Sequence, residues 1–73
     1  MSLPLVSRYV VQSTRFSASD VTGMVETAMF GALQGMSLKA GDRIVIEVEP
    51  WFAIGERGIQ VVAEVILGGG EPG

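Results

Sequence analysis

The chain has 73 residues, 48% of them hydrophobic and only 18% charged, with a formal net charge of -3. That length holds one domain, whose core rarely supplies more than about 3–5 kcal/mol. Cysteine and histidine are both missing, which excludes disulfides, thiolate metal sites, cysteine nucleophiles and imidazole bases. Only carboxylates remain as metal ligands, and they favour hard ions.

A monomer this small has much surface to cover, and soluble domains typically carry about 25% charged residues. The shortfall predicts that part of the surface is buried against further copies of the chain. The five basic residues (Arg8, Arg15, Lys39, Arg43 and Arg57) are scattered. No electropositive footprint for nucleic acid forms. No signal peptide is recognised, and no apolar run approaches the roughly 18 residues of a membrane span. The expectation is a cytoplasmic protein that engages neither nucleic acid nor membrane.

Leu3 to Thr14 is rich in Val, Leu and Tyr, without glycine, and reads as a first strand. Leu5, Tyr9 and Val11 share one face; Val6, Arg8, Val10 and Gln12 share the other. Arg15 to Ser19 is a polar connection. Ser17 or Ser19 can cap a helix, and Asp20 complements its dipole. The spacing predicts a helix from about Asp20 to Met36, with Val21, Val25, Ala28, Met29, Ala32 and Met36 as its apolar stripe. Lys39-Ala40-Gly41-Asp42 has turn chemistry.

Arg43 to Glu49 alternates as a half-buried strand. Ile44, Ile46 and Val48 face one way; Arg43, Val45, Glu47 and Glu49 face the other. Pro50 is expected to end it, leaving Trp51 to Gly58 as a connection. Ile59 to Leu67 reads as the last strand, with Ile59, Val61, Ala63, Val65 and Leu67 toward the core. Residues 1–67 thus form one α+β domain of order β-α-β-β, a three-stranded antiparallel sheet packed on one helix. Residues 68–73 read as a flexible Gly-rich tail.

Four features could carry function. The outer sheet face sets Val45, Val62 and Ile66 beside Gln60, Glu47, Glu64 and Arg43, too apolar for a purely solvated face. It reads as a subunit interface, as a ligand surface between subunits, or as a face that is simply solvated. On the helix, Gly23, Thr27, Gly31 and Gly35 form a small-residue row, and Phe30 stands outward between Glu26 and Gln34. Phe30, Gly31 and Ile66 are therefore candidate interface residues. Trp51 and Phe52 either close one end of the core or form a stacking platform. Glu47, Glu49 and Glu64 could share one sheet face, as a hard-cation site, as an acid/base pair or simply as ion-pair partners. No residue is singled out as catalytic, and no metal site is assigned.

The β-α-β-β order and three short segments resemble the dodecins, small flavin-binding storage proteins that form hollow dodecamers. The segments are Ser17-Ala18-Ser19-Asp20-Val21 at the helix entry, Ile46-Glu47-Val48 in the second strand, and Gln60-Val61 in the third. The resemblance covers about Tyr9 to Leu67. It implies a closed homo-oligomer and a flavin (FMN, FAD or riboflavin) held between subunits. Where the family places its stacking tryptophan, this chain has Val45, with Trp51 six residues later. On this footing Val45, Gln60, Val62 and Trp51 are the candidate ligand-binding residues.

Three classes of function follow. The first is an oligomeric binding and storage protein for flavin or another flat aromatic molecule. The second is a ring- or shell-forming structural subunit with no small ligand. The third is an enzyme with an intersubunit site, for which only Glu47, Glu64, Tyr9, Arg43 or Lys39 could do acid–base work.

Overall fold

The computed structural model describes residues 5–68, with side chains from Ser7 onward. The expected start of the first strand at Leu3, the faces of Leu5 and Val6, and the tail beyond Gly68 lie outside these residues. Four elements follow in chain order: β1 (Leu5–Ser13), α1 (Ala18–Leu33), β2 (Arg43–Ala53) and β3 (Glu56–Ile66). The strands form one antiparallel sheet in the order β1-β3-β2, with α1 packed on one face. This is the expected α+β architecture.

The helix starts two residues before Asp20 and ends three before Met36, for local reasons. Ser17 is its N-cap. The Ser17 hydroxyl accepts the Asp20 N–H, and the Asp20 carboxylate accepts the Ser17 N–H, a reciprocal capping box. At the other end Gln34 turns left-handed (φ 51°) and Gly35 follows (φ 79°), which breaks the helical ladder.

The face that α1 buries centres on Met24, Ala28 and Ala32, while Val21 and Met29 are only half-buried. Met24, which the predicted stripe omits, therefore belongs to the core. Against these residues stand Val61, Ala63 and Val65 of the central strand. Alanines on both sides bring helix and sheet close. The resulting core is thin, so each lost methyl group removes a large share of it.

The second strand does not stop at Pro50. β2 continues through Pro50, Trp51 and Phe52 to Ala53, and β3 begins at Glu56, three residues before Ile59. The two are joined by the tight turn Ile54-Gly55, where Gly55 has φ 74°. Proline is tolerated because β2 is an edge strand, so its hydrogen-free nitrogen can face outward.

The hairpin outruns the rest of the molecule. Eleven residues of strand span roughly 36 Å, whereas the sixteen of α1 span only about 24 Å. β1 also stops at Ser13, opposite Ile59. Trp51 to Gly58 is thus a two-stranded arm, and the described residues extend over 49 × 25 × 17 Å.

Candidate functional site

β3 is the middle strand, so its outward residues acquire neighbours on both sides. Gln60 lies between Gln12 and Glu49, Val62 between Val10 and Glu47, and Glu64 between Arg8 and Val45. Trp51 stands one row further along, opposite Gly58. Val45, Trp51, Gln60 and Val62 therefore do share the outer sheet face.

A polar row crosses this face. Gln12 Nε2 donates to Gln60 Oε1 at 2.6 Å, and Gln60 Nε2 donates to Glu49 Oε1 at 2.7 Å. The central amide is held from both sides, with one acceptor lone pair and one N–H unused within the row. Val62 is 2% exposed, so its own neighbours already cover it. Apolar side chains that remain accessible on this face include Val10 and the half-buried Val45 and Trp51, beside the half-buried Gln60. Gln12 belongs to this row but was not among the sequence candidates. Alternation places it on this face, but only the β1–β3 register brings it beside Gln60.

The carboxylates do not converge. Glu64 pairs with Arg8 (3.4 Å, a partly exposed ion pair), Glu49 accepts the Gln60 amide, and Glu47 is exposed. Among the described residues, no group of three or more acidic side chains is placed to hold a metal ion. Tyr9 lies on the opposite face from Glu47 and Glu64, and Lys39 is in the turn before β2, so these candidate acid–base groups are not gathered.

Among the described residues two carboxylates are perturbed, and both accept hydrogen bonds from the backbone. The Asp42 side chain accepts the Gly68 N–H at 2.8 Å and the Lys39 N–H at 2.9 Å. These bonds hold its carboxyl below the ordinary aspartate value and tie the end of β3 to the turn before β2. Asp20 is lowered likewise, through its hydrogen bonds with the Ser17 side chain and backbone.

The candidate interface residues differ in setting. Phe30 is 74% exposed on the outer side of α1. Ile66 is half-buried at the end of β3, between Leu5 and Arg43. Gly31 faces inward: a Cβ there would stand 2.5 Å from the Tyr9 ring. The close approach that this glycine allows is therefore made by Tyr9 of the same chain.

A second apolar surface lies on the helix side of the hairpin arm. Val48 is 49% exposed and Phe52 71%, and Ile54 at the tip is fully exposed. Phe52 thus neither closes the core nor stacks with Trp51, because successive strand residues point to opposite faces.

Comparison with protein-family models, curated proteins and solved structures finds no match for this chain.

Proposed function

We propose that this chain is the subunit of a homo-oligomeric binding protein, of the kind the dodecin resemblance implies. The observation that carries the self-association is the apolar surface left bare by the short helix. Along the hairpin, Val48 is about half exposed and Phe52 and Ile54 more so, and Phe30 adds a separate exposed ring on the outer side of α1, in a chain with few charges. Large apolar side chains left in water on a two-stranded arm favour association, and a protruding hairpin of this length is marginal without a partner.

The ligand would be a flat aromatic molecule such as flavin, laid on the outer sheet face between subunits. What supports it is the pairing on one face of an indole, Trp51, with a fixed amide edge, Gln60. Aromatic stacking and a directed amide are the two elements such ligands use.

A second reading is a ring- or shell-forming subunit without a small ligand. Two observations favour it: Val62 is covered, and both ends of the Gln60 amide already have partners within the sheet.

Native mass measured together with the absorbance spectrum between about 300 and 550 nm tests both. A coloured oligomer, or a colourless one that quenches added FMN, supports the binding reading. A colourless oligomer indifferent to flavin supports the structural one. A 7.7 kDa monomer overturns self-association.

A further inference from the structure

We infer that two copies of this chain join along β2, edge to edge and antiparallel, with Ile46 on the two-fold axis. This rests on the self-association proposed above and specifies how it is made.

Among the described residues β2 pairs only with β3, so its other edge is open. The tight turn fixes which backbone groups lie on that edge. Ala53 and Glu56 close the Ile54-Gly55 turn and exchange hydrogen bonds, and bonded pairs then alternate along the ladder. Arg43, Val45, Glu47, Glu49 and Trp51 thus spend their backbone groups on β3. Ile44, Ile46 and Val48 turn theirs outward. Pro50 fits this alternation, because its nitrogen falls on the open edge, where no donor is required.

Proline also limits the edge. The usable stretch runs from Arg43 to Glu49, and its midpoint is Ile46. An antiparallel pair centred there bonds Ile46 to its symmetry mate and Ile44 to Val48 of the second copy, on both sides of the axis. On the outer face it sets Arg43 against Glu49 at each end. On the helix side the half-exposed Ile44, Ile46 and Val48 gain apolar cross-strand neighbours.

Neighbouring registers fare worse. Centring on Glu47 sets that carboxylate against its own copy, and like charges directly opposite are destabilising. Centring on Val48 sets Glu47 against Glu49 and leaves Ile46 facing the donor-less Pro50. Centring on Val45 directs Val48 at Asp42, whose N–H is already given to the Lys39 carbonyl. Exposed ion pairs add little affinity. The charges here select the register, while backbone bonds and apolar side chains hold it. A self-complementary strand is also the simplest way for an identical partner to meet an open edge.

The absence of native cysteine allows a clean test by disulfide trapping. Facing residues at a non-bonded antiparallel position have Cα atoms about 4.5 Å apart, within disulfide range. Arg43→Cys/Glu49→Cys is expected to give a covalent dimer under mild oxidation, and each single variant to give none. Glu47→Cys reports the register centred on that residue. Both Arg43 and Glu49 are exposed, so these variants should fold. As an independent readout, Glu49→Arg, which sets like charges opposite each other at both ends, should weaken the dimer several-fold, and Arg43→Glu in the same chain should restore it. Trapping through Glu47→Cys overturns the register centred on Ile46, and an oligomeric native mass with no trapping by either variant overturns the β2 pairing; both leave self-association intact. A monomeric native mass overturns both.

Discussion

Replacing Gly31 by alanine sets two effects of known size against each other. Alanine favours a helix interior over glycine by up to about 1 kcal/mol. At this position, however, the new Cβ would stand 2.5 to 2.6 Å from three carbons of the Tyr9 ring. Relieving such overpacking typically costs about 1–3 kcal/mol. We therefore expect Gly31→Ala to lose about 1 kcal/mol net, a fall of about 4–8 °C in melting temperature for a domain of this size. In a Tyr9→Ala background the same substitution should instead gain about 1 kcal/mol, because only the helix preference remains. Gly23 supplies the control. Nothing lies within 4 Å of a Cβ there, so Gly23→Ala should stabilise the intact protein by a similar amount. Thermal or urea unfolding of the four variants, at one protein concentration because association shifts apparent stability, measures the coupling. If Gly31→Ala stabilises the wild type as much as Gly23→Ala does, Tyr9 does not rest on the helix backbone and the argument fails.

Two further outcomes follow. Gly58→Ala should cost more, about 3 kcal/mol, because its Cβ would come within 2.9 Å of the backbone at both Ser13 and Thr14, which cannot swing aside as a side chain can; urea unfolding showing a loss under about 1 kcal/mol would contradict the tight exit from β1. Asp42 has a folded-state pKa below its ordinary 3.8. Its contribution is therefore complete well above that value and is lost as pH falls through it toward the folded pKa. Asp42→Asn should flatten this acid limb of the stability–pH curve, and an unchanged limb in unfolding curves from about pH 6 to pH 2 would show that the latch to Gly68 carries no such dependence.

Much of the fold was legible in local pattern. Near-alternation in Arg43–Glu49, and apolar residues at every second position from Ile59 to Val65, assign two strands and their inward faces, although Leu67, expected toward the core, lies beyond β3 and is exposed. Serine three residues ahead of an aspartate marks the helix start, although two serines compete and only the cap geometry selects Ser17. Proline misled at Pro50. It ends a strand only where its nitrogen would face a partner, and strand order is not written in the local sequence.

What the sequence by itself determined is the element order, the inward faces of β2 and β3, and the low share of charged residues. These depend on residue type and spacing along the chain. What only the tertiary structure decided depends on residues distant in sequence. β3 lies in the middle, which buries Val62 on the nominally outer face and links Gln12, Gln60 and Glu49. Tyr9 fills the notch at Gly31. The strand order leaves one edge of β2 open, and the helix, shorter than the strands it covers, leaves the hairpin arm bare. Each is a matter of register and relative length in space, and no window of neighbouring residues contains it.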